Sequence, residues 1–96
     1  MMVLVTYDVN TETPEGRRRL RQVARECVNY GHRVQNSVFE CFVDPAQFAK
    51  LKHILCGIMY KDRDRIRFYL LGANWQNRVE HLGKDEGYDP EGLLVT

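Results

Sequence analysis

Met2-Val-Leu-Val-Thr-Tyr-Asp8 is the most strand-like run in the chain, and the other elements can be placed relative to it. Its β-branched and aromatic residues favour a strand with both faces at least partly buried. After a polar break, Thr13-Pro14 predicts a helix N-terminus, with threonine as the N-cap and proline at the first helical position. The chain therefore begins with a β-α unit.

The first helix has one apolar face and one arginine-rich face. Helical spacing relates the apolar residues Leu20, Val23, Ala24, Cys27 and Val28. Arginines at 17, 18, 21 and 25 fall mostly on the opposite, solvated side. We expect Gly31 to end this helix in a left-handed turn.

The middle of the chain predicts a hairpin and then a second helix. Residues 32–35 and 38–43 have strand composition around a turn at Asn36-Ser37. Asp44-Pro45, with Gln47 three residues after the aspartate, is typical of a helix N-terminus. Apolar residues at Phe48, Leu51, Leu55 and Ile58 supply the buried face of that helix.

Residues 65–70 alternate between polar and apolar, as expected of a half-buried strand. The resulting order, β-α-β-β-α-β, predicts an α+β fold of the ferredoxin-like class, an antiparallel sheet with both helices on one face. We expect a single domain over residues 1–96, with a core at 1–72 and a C-terminal extension at 73–96. Within the extension, residues 78–82 and 93–95 are strand-like, and we expect at least one of them to pair with a partner subunit.

Composition indicates an ordinary globular domain. The 96 residues are 44% hydrophobic and 28% charged, with a net charge of +1. The three cysteines lack zinc-binding spacing, so we interpret them as buried apolar residues in a reducing compartment. No run is long and apolar enough for a membrane helix, which predicts a cytoplasmic protein. A domain this small buries a modest share of its surface, which favours self-association.

Asp8 is the strongest candidate for chemistry because it ends a strand that is central in this topology. Carboxylates at strand ends can hold a hard divalent cation, which neutralises phosphate charge and activates water. The alternative is a turn or capping aspartate. One carboxylate is a poor magnesium site, so metal chemistry here would require two copies related by a two-fold axis.

Charge distribution suggests a surface for phosphate. Six arginines and two glutamates lie between Glu15 and Arg33, and guanidinium groups bind phosphate oxygens with paired hydrogen bonds. The alternative is that these arginines only improve solubility. Aromatic residues such as Tyr7, Phe39 and Tyr69 could stack on bases, although a place in the core is the alternative for most of them.

The chain also resembles a known family. The resemblance lies in Val5-Thr-Tyr-Asp-Val9, in the arginine-rich first helix followed by Tyr30-Gly31, and in Gln35-Asn-Ser-Val-Phe-Glu-Cys41. The C-terminal run from Leu71 to Gly83, with Tyr88-Asp-Pro-Glu-Gly92, is similar to one subgroup. Together these features resemble the CRISPR-associated Cas2 family over essentially the whole chain.

The resemblance implies a ferredoxin-like homodimer whose C-terminal strands complete the neighbouring sheet. It implies that Asp8 from both subunits binds Mg²⁺ or Mn²⁺ in the interfacial cleft, with Tyr7 beside it in the catalytic site. It also implies an endonuclease acting on single-stranded RNA or double-stranded DNA. The residues that would contact substrate are Arg17, Arg18, Arg33, Ser37 and Phe39.

Three functions remain open from the sequence. The first is metal-dependent phosphodiester hydrolysis within the spacer-acquisition complex of antiviral defence. The second is a non-catalytic dimeric scaffold that clamps duplex DNA and bridges subunits of the CRISPR-associated integrase, as the resemblance implies. The third is a ferredoxin-like regulatory or ligand-binding domain with no affinity for nucleic acid.

Overall fold

The computed structural model describes residues 1–83, which form a four-stranded antiparallel sheet covered by two helices. In chain order the elements are β1 (Met2–Asp8), α1 (Pro14–Val28), β2 (Gly31–Gln35), β3 (Val38–Phe42), α2 (Pro45–Ile58) and β4 (Arg65–Gly72). One turn of 3-10 helix follows (Trp75–Asn77). The strand order is β2-β3-β1-β4, so β1 lies inside the sheet. The predicted ferredoxin-like fold is confirmed.

The core lies between the sheet and the two helices. It contains alternate residues of β1 and β3 together with one face of each helix: Val3, Val5, Tyr7, Leu20, Val23, Ala24, Cys27, Phe39, Cys41, Phe48, Leu51 and Leu55. Alternation in the strands sends the intervening residues to the other side of the sheet, which we call the open face. Each fully buried Leu or Val contributes about 1.5–3 kcal/mol relative to an exposed one.

Both helices begin where the sequence predicts. The Thr13 side chain accepts a hydrogen bond from the Gly16 N–H at 3.0 Å. The Asp44 side chain accepts one from the Gln47 N–H at 2.7 Å, and the Gln47 side chain accepts one in return from the Asp44 N–H at 2.9 Å. Each cap satisfies N–H groups that the first helical turn leaves without partners.

The predicted role of Gly31 is wrong. Helix α1 ends at Val28, its C-cap Asn29 is right-handed, and Gly31 already belongs to β2. Glycine is required there for a different reason, because a Cβ at position 31 would lie 1.7 Å from the carbonyl oxygen of Glu40 on β3. The close approach of two strands therefore selects this glycine.

The chain after β4 folds back over one end of the open face. Gly72 has a positive φ of 77°, which glycine adopts without steric strain. The Trp75 ring then packs edge-on against Phe42 at a centroid distance of 5.3 Å. Residues 78–82, predicted as a strand, form no strand in this chain; their pairing with a partner subunit stays a prediction. The second strand-like piece, residues 93–95, lies outside the described residues.

The structure also bears on the predicted burial of the cysteines and on the predicted lack of a membrane helix. Cys27 and Cys41 are buried as predicted, but Cys56 is exposed on α2, so the prediction for this third cysteine is wrong. Cys56 comes directly after buried Leu55 and lies on the outer side of helix α2. Within residues 1–83, neither helix has the length and apolar character needed to cross a membrane.

The Gly31 contact can be tested by comparing two glycine substitutions. Gly31→Ala should lower the free energy of unfolding by about 1–3 kcal/mol, because the new methyl group meets the Glu40 backbone. Gly57→Ala is the matched control: a Cβ there meets nothing within 4 Å, and alanine should stabilise the helix by about 0.5 kcal/mol. Urea unfolding measures both. Equal effects of the two substitutions would contradict this account of β2.

Candidate functional site

The C-terminal end of β1 presents Asp8 on the open face. Asp8 is exposed and lies opposite Arg65 of β4 in the strand register. It forms no ion pair within residues 1–83. The carboxylate is therefore accessible to a cation or to a second copy of the chain.

A pocket of about 390 Å³ opens beside this carboxylate. Its lining comes from the end of β1, the following loop, α1 and the β2–β3 turn: Thr6, Tyr7, Asp8, Val9, Thr11, Leu20, Asn36 and Ser37. The Arg17 guanidinium donates to the Thr11 carbonyl at 2.9 Å, which holds one arginine of α1 against the pocket loop. Ser37 is tied to β1, since its carbonyl accepts from the Tyr7 N–H at 2.9 Å.

The pocket lining is suited to a hard cation but is incomplete. Carboxylate, hydroxyl and carbonyl oxygens are the ligands that Mg²⁺ and Mn²⁺ prefer, and Asp8 and Ser37 offer them here. Among residues 1–83, no three His, Cys, Asp or Glu side chains are grouped to hold a metal ion. The oxygen donors fit a half-site, to which a second subunit, water or a phosphate would add ligands.

Below the same end of β1, the Asp64 carboxylate is the centre of a buried hydrogen-bond network. The Tyr7 hydroxyl donates to it from β1. Arg19 of α1 donates two hydrogen bonds, from Nε at 2.7 Å and from Nη2 at 3.2 Å. The Tyr60 N–H donates a fourth at 3.0 Å. One carboxylate thus joins β1, α1 and the α2–β4 loop.

The network sets the protonation of its members. Burial alone would raise the pKa of Asp64, but the hydrogen bonds from Arg19, Tyr7 and the Tyr60 N–H outweigh it and hold this pKa below its ordinary value. Burial, reinforced by the hydrogen bond to Asp64, raises the pKa of Tyr7. The hydrogen bond to Asp64 also raises the pKa of Arg19. The tyrosine is therefore neutral and the ion pair is charged at neutral pH.

Three of the predicted site residues lie in the interior. Tyr7 is only 2% exposed and Phe39 is fully buried, and both point to the helices rather than to the open face that carries Asp8. Arg33 is also buried, and its guanidinium donates to the Asn36 carbonyl at 2.7 Å while lying 5.5 Å from the Phe39 ring centroid. This geometry gives all three a role in holding the site's framework, and their contact with substrate stays a prediction.

The other predicted residues are placed where substrate could reach them. Arg17 and Arg18 are exposed on α1, and half-buried Ser37 lines the pocket with Asp8. Sequence analysis missed Asp64, which lies in a polar turn with no motif around it. The sequence carries one weak signal for it: Tyr7 at a strand end and Arg19 on a helix both need a hydrogen-bond partner when the fold buries them.

The acid dependence of stability tests the network. The folded-state pKa of Asp64 lies below the ordinary value of 3.8, so its contribution is complete above about pH 4 and is lost as pH falls through the folded pKa. Asp64→Asn should lower the free energy of unfolding at neutral pH by about 2–3 kcal/mol. The loss should shrink at acid pH. Exposed Asp62→Asn should stay within about 0.5 kcal/mol; a similar loss in both variants would contradict the assignment.

Comparisons with known proteins identify relatives over nearly the whole chain. The family model described as CRISPR associated protein Cas2 matches residues 1–79. A protein named CRISPR-associated endoribonuclease Cas2 from Nitratidesulfovibrio vulgaris is 61% identical over 95 residues, covering 99% of this chain and 93% of the relative. One of the same name from Chlorobaculum tepidum is 63% identical over 95 residues, covering 99% of each.

A solved structure agrees with these relatives. The crystal structure of Streptococcus pyogenes Cas2 at pH 6.5 superimposes with a TM-score of 0.80 and 70% sequence identity, covering 86% of this chain and 100% of that one. The family model, the curated relatives and the solved structure lead to one assignment. The chain belongs to the CRISPR-associated Cas2 family.

Proposed function

We propose that the protein is a metal-dependent endonuclease that hydrolyses phosphodiester bonds as a homodimer. Exposed Asp8, with its oxygen-lined pocket and an adjacent arginine, is the observation that carries the proposal. The relatives support it through their names, which include endoribonuclease and, for one from Halalkalibacterium halodurans at 48% identity over 95 residues, endonuclease. The substrate class is single-stranded RNA, double-stranded DNA or both.

Each site residue has a defined part in the proposed reaction. Asp8 and its two-fold mate would hold Mg²⁺ or Mn²⁺, which would supply neutralisation of phosphate charge and activation of a water. Arg17, fixed by Thr11, orients a phosphate oxygen at the pocket. Tyr7 acts indirectly: it holds the end of β1 through Asp64, so that the neighbouring Asp8 is presented outward.

The open face supports the homodimer. Tyr69 and Phe42 lie on it at 43% and 40% exposure, which is high for aromatic rings in a small domain. Covering this face with a second copy would bury both rings and bring two Asp8 carboxylates close to one axis. The incomplete metal half-site of one chain then becomes a site with two carboxylates.

The alternative function is a dimeric scaffold that binds duplex DNA and bridges subunits of the CRISPR-associated integrase. Its support is the exposed arginine row of α1, made up of Arg17, Arg18, Arg21 and Arg25. A scaffold would bind duplex DNA in a strongly salt-dependent way and would retain that binding without Asp8. The extension expected to contact the integrase begins at residue 73, and its part beyond residue 83 lies outside the described residues.

Removal of Asp8 separates these functions. Wild type, Asp8→Ala and the control Asp62→Ala are incubated with single-stranded RNA and duplex DNA in Mg²⁺, Mn²⁺ or a chelator. Cleavage should require metal and fall at least about 100-fold in Asp8→Ala only. Cleavage that survives the chelator, or equal cleavage by Asp8→Ala, would refute the nuclease proposal. Duplex binding without any cleavage would favour the scaffold.

The dimer is tested by adding one positive charge either to the open face of the sheet or to the exposed side of helix α1. Tyr69→Lys should weaken self-association at least about tenfold, since it replaces an open-face ring with a cation. Gln22→Lys adds the same charge to the exposed side of α1 and should leave self-association unchanged. Sedimentation velocity at several concentrations measures both. A monomeric wild type, or equal weakening by the two variants, would contradict the proposed interface.

A further inference from the structure

Tyr60 presents an aromatic surface in the α2–β4 loop that the proposed site does not use. The residue is 48% exposed. Two guanidinium groups lie near its ring: the central carbon of Arg19 is 5.6 Å and that of Arg63 is 6.0 Å from the ring centroid. An exposed tyrosine close to arginines offers both π surface and positive charge, which are the features that single-stranded nucleic acids bind.

The backbone of Tyr60 is held in place by the buried network. The Tyr60 N–H donates to the Asp64 carboxylate at 3.0 Å, and the Tyr60 carbonyl accepts from the N–H groups of Arg63 at 3.0 Å and Asp64 at 2.8 Å. Arg19, bonded twice to Asp64, supports one side of the ring. A ring on a fixed backbone loses less freedom on binding than a ring on an untethered loop, which favours affinity.

The surrounding charge favours a polyanion. The exposed residues of the loop and of the start of β4 include Lys61, Arg63 and Arg65. Of the two acidic residues in this stretch, Asp64 is buried and paired with Arg19, which leaves Asp62 as the exposed one. The exposed surface of this short stretch therefore has a net positive charge.

The loop is next to the candidate metal site. Asp64 is followed directly by Arg65, and Arg65 lies opposite Asp8 in the β1–β4 register. A nucleic-acid chain with a phosphate at Asp8 would have Arg65 beside it, and Arg65 is five residues from Tyr60 along the protein chain.

We propose that Tyr60 is a base-stacking subsite for single-stranded nucleic acid, with Arg63 and Arg65 binding the adjoining phosphates. The subsite rests on the proposed nuclease function and specifies its substrate class. Bases of a duplex are stacked inside the helix, whereas those of a single strand can turn out onto a ring. The subsite thus favours single-stranded RNA over duplex DNA.

Binding measured in a chelator tests the subsite without cleavage. The ligands are a 12-nucleotide single-stranded RNA, an abasic oligomer with the same number of phosphates, and a blunt DNA duplex. Tyr60→Leu should weaken RNA binding by about 5- to 100-fold and leave abasic and duplex binding within about twofold. Tyr60→Phe keeps the π surface and should bind RNA like wild type. Tyr60→Met keeps a long apolar side chain beside Arg19 but removes the π surface, so it should weaken RNA binding as much as Tyr60→Leu.

The outcomes separate this inference from the proposed function. RNA binding of wild-type strength by both Tyr60→Leu and Tyr60→Met, each folded by thermal melting, would overturn the subsite even if Asp8 proves essential for cleavage. Equal losses of affinity for RNA, the abasic oligomer and the duplex would also overturn the subsite. The substitution would then act through charge or folding and not through stacking on a base. If the RNA-specific loss appears while cleavage does not need Asp8, the subsite stands and the nuclease mechanism falls.

Discussion

The buried carboxylate of Asp64 is the interaction on which the functional end of the molecule depends. It accepts hydrogen bonds from β1, from α1 and from its own loop. An unpaired carboxylate in this position would be strongly destabilising, so all of its partners must be present together. Because Arg19 supplies the opposite charge and a paired geometry, the group stays ionised in the interior. The three elements are therefore fixed relative to one another where β1 ends.

Because side chains alternate between the two faces of a strand, fixing the end of β1 also fixes the direction of the Asp8 carboxylate. Tyr7 points inward to Asp64, and the next residue, Asp8, consequently points to the open face. Exposed Arg65, the first residue of β4 and the register partner of Asp8, directly follows buried Asp64 of the loop. In both places a residue of the buried network is therefore followed by an exposed residue of the candidate site. Loss of the buried hydrogen bonds would change the direction of the exposed side chains.

Local signals in the sequence predicted most of the fold. The Thr13 and Asp44 caps act over three residues, and both are present in the structure. β-Branched and aromatic composition correctly predicted β1, and polar–apolar alternation correctly predicted β4. The role of Gly31 was wrong because the feature that selects it is the approach of β3, which no neighbouring residue reveals.

The candidate site was less predictable because it depends on long-range contacts. Asp64 is 57 residues from Tyr7 and 45 from Arg19, so nothing in its own turn indicates a buried ion pair. Asp8 could be singled out by its place at the end of the first strand. The family resemblance suggested Phe39 and Arg33 as substrate contacts, but the β2–β3 turn and the core enclose both.

Amide hydrogen exchange at the end of β1 in Asp64→Asn is the most direct test of this account. Protection of the Tyr7 amide, which donates to the Ser37 carbonyl, should fall by a larger factor than protection of Val3 and Val5 in the same strand. Such a gradient would show that Asp64 holds the strand end that presents Asp8. A uniform fall along β1, or unchanged protection at Tyr7, would contradict the claim that this carboxylate organises the site.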